Sequence, residues 1–241
     1  MSLCIAIQTE EGIIIASDSR GTFGDPRGVT GANDTIQKVY GLTKYTGMVV
    51  AGANEIGATL LDLLASQIRR DGVEGVDAVV GAVRKLFKEQ YDVWFPNMPA
   101  IPSPQAPHLQ RPGLVTIIAG YRLDQENKPI QPMLYTLISQ LEFVPSLSNY
   151  GFAIIGVPQY AIYLLNRLYS KKMSLRSAAE LVAYCITETA TQDGKVGGPI
   201  QIAEIMPQNG FKVYTKEEVS GIIEENRKQS QSLQSLFFKN S

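Results

Sequence analysis

The first twenty-two residues, MSLCIAIQTEEGIIIASDSRGT, constrain this chain more than any other stretch. Two apolar arms of nearly equal length flank the polar turn Thr9-Glu10-Glu11-Gly12. In the first arm Leu3, Ile5 and Ile7 alternate with Cys4, Ala6 and Gln8, the period of a half-buried strand. The second arm, Ile13-Ile14-Ile15-Ala16, is a continuous apolar run suited to a strand buried on both faces. Gly12 supplies a turn position that tolerates positive φ. Paired as a hairpin, the arms return Ser17, Asp18, Ser19 and Arg20 to the side of Ser2. A hydroxyl residue directly behind Met1 then faces an acid and a base at a strand end. Removal of Met1 would give Ser2 a free amine beside its own hydroxyl.

Beyond the hairpin the chain divides into alternating blocks. Gly21 to Asp34 is rich in Gly, Asp and Thr and reads as a loop. Thr35 to Tyr40 alternates like a strand, Gly41 to Lys44 turns, and Thr46 to Gly52 is a further strand. Asn54 is placed to cap a helix over 55–70, which Asp71-Gly72 stops, and a second amphipathic helix follows over 76–93. Residues 96–112 hold six prolines and no hydrophobic period, the mark of a loop. Strands are expected at 114–121, 133–138 and 152–156. Helices follow at 159–169 and 175–191, the second capped by Ser174. Ile200 to Ile205 is a clean alternating strand, and Gln208-Asn209-Gly210 signals a hairpin into Phe211 to Tyr214. A polar helix over about 217–237 closes the chain, its far end open to fraying. Strands and helix pairs thus come in segregated runs, which points to a layered α+β fold with helices covering antiparallel sheets, as one domain over 1–241.

Composition removes several classes of function. A net charge of −1 gives no basic surface for nucleic acid or an anionic membrane. No apolar run reaches membrane-spanning length, and the N-terminus lacks the basic-then-apolar pattern of a signal peptide. The two cysteines, Cys4 and Cys185, read as buried thiols in a reducing, cytoplasmic setting. The single histidine, His108, lies in the proline-rich loop, so a histidine-rich zinc site is out and no metal or cofactor is expected. A Ser-His-Asp triad would have to use that one loop residue.

Several short motifs stand in a telling order. They are Ser2-Leu3-Cys4-Ile5-Ala6-Ile7, Gly12 to Arg20, Gln37-Lys38-Val39 and Ala51-Gly52, then Ala119-Gly120-Tyr121, Ile155-Gly156, Met173-Ser174 with its alanine-rich helix, and Asp193 ahead of Gly197-Gly198. This ordered set resembles the proteasome-like branch of the N-terminal-nucleophile (Ntn) hydrolases, especially proteasome β-subunits and their bacterial relatives. The resemblance runs over nearly the whole chain and implies a four-layer αββα sandwich with a catalytic N-terminal residue. Two departures mark this chain. Valines stand at 157 and 196, where β-subunits usually carry serines, and the nucleophile position holds Ser in place of the more usual Thr. The run Val196-Gly197-Gly198-Pro199-Ile200 is closer to the bacterial ancestral-β-subunit (Anbu) branch.

What the resemblance implies for the site can be stated residue by residue. Ser2 Oγ would be the nucleophile and its own α-amine the general base, an arrangement that needs no histidine. A free α-amine titrates near ~7.7–8.0, which suits a base at neutral pH. Lys38 matches the active-site lysine, whose ammonium would stabilise the developing alkoxide, and Asp18 would pair with it and orient it. Gly52 matches the oxyanion-hole glycine, and Asp193 an aspartate near the N-terminal amine. Gly21 and Thr22 resemble the segment that pairs with an extended substrate, while Ile36, Val50 and Asn54 would line the pocket for the residue before the scissile bond.

The function implied is a peptidase subunit acting on peptide or unfolded protein through Ser2 once Met1 is removed. A homo-oligomeric ring or a related open assembly is implied with it. No GxxxxGK[ST] motif is present, so substrate unfolding would need a separate ATPase partner. Two other readings stay open: a noncatalytic structural subunit of such an assembly, and an Ntn amidase for small molecules.

Overall fold

The two apolar arms pair as a hairpin in the computed structural model, which describes residues 2–25, 28–99, 101 and 110–237. Strand β1 (Leu3–Gln8) runs antiparallel to β2 (Ile13–Ser17) with Cys4 opposite Ser17 and Gln8 opposite Ile13. The first arm is buried on both faces rather than one. Leu3, Ile5 and Ile7 point to a helix layer, while Cys4 and Ala6 point into a layer between two sheets. Small residues on that second face produced the apparent polar alternation; they let the sheets approach closely. Gly12 earns its place by proximity, since a Cβ there would lie 2.8 Å from the Ile205 carbonyl. The turn itself is held by Thr9, whose hydroxyl accepts the N–H groups of Glu11 and Gly12.

This hairpin sits inside a five-stranded sheet. Strand β10 (Phe152–Gly156) flanks β1, and β11 (Gln201–Met206) flanks β2 and pairs outward with β12 (Gly210–Val213). The second five-stranded sheet has the order β5 (Val39–Thr43), β6 (Thr46–Gly52), β7 (Leu114–Leu123), β8 (Pro129–Ile138) and a short β9 (Ser146–Leu147). Ile13, Ile15, Ala203 and Ile205 of one sheet meet Val49, Ala51, Ile117 and Ala119 of the other. On the outer face of the second sheet lie α1 (Asn54–Asp71) and α2 (Val76–Trp94), bringing Leu60, Leu64, Val83 and Phe87 against Met48 and Ile118. On the outer face of the first lie α3 (Gln159–Leu168) and α4 (Leu175–Gln192), with α5 (Lys216–Phe237) contributing Val219 and Ile222 to the same cluster. The architecture is α+β, four layers in the order αββα.

Local chemistry explains where the elements stop. Gly72 takes φ 62° after α1, and the Val73 N–H reaches back to the Ile68 carbonyl at 3.1 Å. Ser174 caps α4 by accepting the Ser177 N–H at 3.1 Å, and Glu11 from the β1–β2 turn accepts the Leu175 N–H at 2.8 Å. The cap expected from Asn54 is not made. Ala53 holds the N-cap position of α1, and its N–H goes to the Gly113 carbonyl at 2.8 Å.

The stretch from 21 to 38 departs most from expectation. The region read as a loop contains a two-stranded ribbon, β3 (Gly21–Asp25) and β4 (Gly28–Asn33). Its Gly- and Thr-rich sequence carries no apolar alternation because it lies outside both large sheets. Thr35 to Lys38, read as strand, is irregular, and the strand begins only at Val39. The backbone there is held by side chains from elsewhere, as described below. Met1, His108, residues 102–109 of the proline-rich loop and the last four residues lie outside the described residues.

Candidate active site

At one end of the sandwich the strand ends leave a cleft of about 730 Å³. Ser2, Lys38 and Gly52 line it, as do Gly21, Thr22, Ile36, Val50 and Asn54. The β1–β2 register brings the first of these together: with Cys4 opposite Ser17, Ser2 falls beside the Asp18–Ser19 turn-out. Ser2 is nearly buried, and its carbonyl accepts the Val157 N–H at 2.9 Å.

Asp18 organises the site. It is fully buried, and both carboxylate oxygens are engaged. Oδ1 accepts the Leu3 N–H at 3.0 Å and the Lys38 ammonium at 2.8 Å. Oδ2 accepts the Arg20 N–H at 3.2 Å and the Gly197 N–H at 3.1 Å. Four N–H donors thus converge on one buried carboxylate, with the Ser17 hydroxyl at 3.5 Å from Oδ1. The Lys38 side chain is 5% exposed. Its ammonium also donates to the Arg20 carbonyl at 2.6 Å, so two of its three hydrogens are committed among the described residues while the group still borders the cleft. Arg20 itself turns away. Its guanidinium makes a fork onto Asp34, Nε and Nη2 each at 2.8 Å, and reaches the Gly194 carbonyl at 3.1 Å. That fork holds the Asp34 carboxyl below its ordinary titration range.

Across the cleft, Gly52 ends β6 at φ 112°, a conformation open to glycine. A Cβ at Gly52 would overlap the Gly113 carbonyl, so the backbone passes there because nothing protrudes. Gly113 is in turn held by its neighbours, since Pro112 O accepts the Tyr91 hydroxyl at 3.1 Å and Leu114 N donates to Ser139 Oγ at 2.9 Å. Tyr40, Val50 and Ile56 give the cleft an apolar side.

Asp193 is not brought into this cleft. It follows the last residue of α4, and its carboxylate accepts the Lys195 N–H at 2.9 Å. This shapes the loop that delivers the Gly197 N–H to Asp18. Val157 and Val196 are 4% and 0% exposed and belong to the apolar cluster against α4, so no hydroxyl network forms at those positions. In the sequence Gly197 is placed among the ordered motifs without a partner, and the Arg20 carbonyl and Asp34 are missed. The fork to Asp34 turns the Arg20 side chain away from Asp18, which receives only the Arg20 N–H. Cys4 lies near the site, 3.1 Å from Ser17 Oγ, but burial pushes its thiol up to about 12 and leaves it an inert packing group. Among the described residues no cluster of His, Cys, Asp and Glu could hold a metal ion, and no helix is long and apolar enough to cross a membrane.

Comparison with known proteins bears on sequence likeness and fold. The family model described as Proteasome subunit matches residues 2–90, the stretch that carries Ser2, Asp18, Lys38 and Gly52. A proteasome subunit beta from Methanosphaera stadtmanae is 23% identical over 218 residues, spanning 88% of this chain and 89% of its own. One from Methanopyrus kandleri is 22% identical over 219 residues, spanning 91% and 93%. Among solved structures, a mutant of Anbu from a Hyphomicrobium species superposes with a TM-score of 0.70 at 16% identity, covering 100% of this chain and 98% of that one. The chain is thus similar in sequence to proteasome subunits, and it shares its fold with Anbu.

Proposed function

We propose that this chain is an N-terminal-nucleophile hydrolase that cleaves the amide bonds of peptides through Ser2. One observation carries the reading. A single oxygen of a buried carboxylate, Asp18 Oδ1, holds both the backbone N–H that follows Ser2 and the ammonium of Lys38. The nucleophile position and the cation are thereby set at a common point on the cleft wall.

With Met1 removed, the Ser2 amine takes the proton from Oγ as Oγ attacks the substrate carbonyl carbon. Charge moves to the carbonyl oxygen, which the Gly52 N–H receives, while the Lys38 ammonium favours the negative charge developing at Oγ. As the tetrahedral carbon collapses, the C–N bond breaks and the protonated Ser2 amine gives its proton to the departing amine. A water then loses a proton to the same Ser2 amine and attacks the ester, and as the ester C–O bond breaks the amine returns that proton to Oγ, releasing the acid and free Ser2. Gly21 and Thr22 offer the β3 backbone along the cleft to an extended peptide, and Ile36, Val50 and Asn54 receive the side chain before the scissile bond. The same reading places the chain, one domain throughout, in a homo-oligomeric cytoplasmic assembly, fed by a separate ATPase where substrates are folded.

The test compares a form trimmed to Ser2 with one extended at the N-terminus. In the extended form the Ser2 nitrogen is an amide, and the free amine is displaced by at least ~3.8 Å in Cα position, beyond direct proton transfer. The trimmed form is expected to react with an acylating probe at Ser2 and hydrolyse peptides. The extended form should be folded, oligomeric by light scattering, and silent. Equal hydrolysis by both forms would remove the Ser2 mechanism; no labelling of either would favour a noncatalytic subunit.

A further inference from the structure

The segment that carries Lys38 has no strand of its own to hold it. Residues 35–38 precede β5, so the Lys38 amide finds no ladder partner on that side. A side chain from the other sheet fills the gap. Gln201, the first residue of β11, turns its carboxamide onto this backbone. Its Oε1 accepts the Lys38 N–H at 3.0 Å and the Val39 N–H at 3.3 Å. Its Nε2 donates to the Ile36 carbonyl at 2.6 Å. One amide thus reproduces, in both directions, the hydrogen bonds that a neighbouring strand would make.

We infer that Gln201 is a positioning residue for the proposed reaction, acting through Lys38; the inference rests on the Ser2 reading above. Gln201 lies opposite Ser17 in the β2–β11 ladder, one residue from Asp18. The same strand pair therefore sets both ends of the Lys38 side chain. Asp18 on β2's extension receives the ammonium, and Gln201 on β11 holds the backbone from which the side chain springs. The long lysine stem has many rotamers, and securing only its tip would leave the amine free to follow any drift of residues 36–38. With root and tip both tied to one rigid sheet, the ammonium keeps its place at the cleft while substrate enters and leaves. The carbonyl side completes the frame, since Lys38 O accepts the Val50 N–H at 3.2 Å and ties the same residue to β6. Gln201 does not border the cleft, so its effect reaches the reacting atoms through Lys38.

The experiment uses the full trimmed chain and the variant Gln201→Met, which keeps length and apolar stem but loses acceptor and donor. The expected result is a fall in kcat of about tenfold or more, as for loss of a preorganised charge, with KM within about twofold. In a crystal structure of the variant, Lys38 Nζ should have moved out of hydrogen-bond reach of Asp18 Oδ1. Asn226→Ala is the control, because it removes another side-chain bond to backbone, the one to the Glu180 carbonyl at 2.9 Å, far from the cleft, and should leave kcat unchanged. If Gln201→Met does not fold, Gln201→Glu keeps the acceptor, loses the bond to Ile36, and should also be slower than the unaltered chain. Unaltered kcat in either folded variant, a loss carried by KM alone, or an unmoved Lys38 overturns the inference. A wild-type chain without acyl labelling sinks the Ser2 mechanism instead, and the crystallographic comparison still decides whether Gln201 holds Lys38.

Discussion

In the β1–β2 hairpin, Leu3 to Ile7 and Ile13 to Ser17 are all buried, and each strand has a ladder partner on both sides. Beyond Arg20 the chain leaves the large sheets: among the described residues β3 and β4 pair only with each other, and individual side chains tie down 34–38. Arg20 grips Asp34, Ser19 Oγ donates to the Asp34 carbonyl at 2.8 Å, and Gln201 holds 36–39. Ser2, at the root of the hairpin, and the second region border the same cleft. The hairpin owes its position to apolar burial and repeated backbone bonds, which degrade gradually and cost stability when cut. The second region depends on a few polar contacts of high geometric precision, where one loss should displace chemistry without unfolding the protein. Position and stability are thus assigned to neighbouring but different parts of the chain.

The largest effect expected within this contrast is at Lys38. Lys38→Met removes the ammonium but leaves Asp18 with three backbone donors, so the protein should fold while turnover on an acyl substrate drops about 10²-fold. Steady-state kinetics on purified protein decide it, and unchanged turnover would take Lys38 out of the mechanism. In the hairpin the reverse outcome is expected. Ile5 is fully buried against the helix layer, and Ile5→Ala should cost about 2–5 kcal/mol in denaturant unfolding yet leave kcat of the folded fraction within twofold. A large kcat change there, at constant fold, would erase the distinction between the two regions.

The smallest effect concerns the Arg20–Asp34 fork, which is partly exposed, with side chains 26% and 40% accessible. Its sign follows from the depressed Asp34 titration. A carboxyl lowered in the folded state adds stability above its unfolded value near ~3.9 and loses it as the pH falls through the folded value. Asp34→Asn should therefore lower Tm slightly at pH 7, and the difference from the unaltered chain should close in acid. A difference that widened on acidification would mean that the fork is not what holds this corner.

The same contrast explains what could be read from residues alone. Apolar period and turn chemistry located the β1–β2 hairpin, α1, α2 and α4, because those elements are shaped by their own neighbours in sequence. The ribbon of β3 and β4 escaped because Gly21, Gly24, Gly28 and Gly31 offer no apolar face to count. Thr35 to Lys38 alternates like a strand, yet its partner is a carboxamide 163 residues away, and no local pattern can announce that. Ser2, Asp18, Lys38 and Gly52 were legible as an ordered set. The parts played by Gln201, Gly113 and Gly197 were not, since each acts through contacts to backbone that exist only after the sheets have met. Asp193 matches the ordered set as well, but it does not line the cleft, and its carboxylate accepts the Lys195 N–H in its own loop.

The four N–H donors around Asp18 also have a consequence in time. They come from residues 3, 20, 38 and 197, the last separated from Asp18 by 179 positions. A chain growing from its N-terminus has the nucleophile, the acid and the lysine long before it has Gly197. Closing so long a loop waits on the docking of α4 and β11, and non-local contacts of this kind form late. Until then the carboxylate lacks a ligand and the lysine segment lacks its Gln201 brace. The proposed centre is therefore completed by the last third of the chain, and an unfinished copy carries Ser2, Asp18 and Lys38 without the arrangement of the finished one.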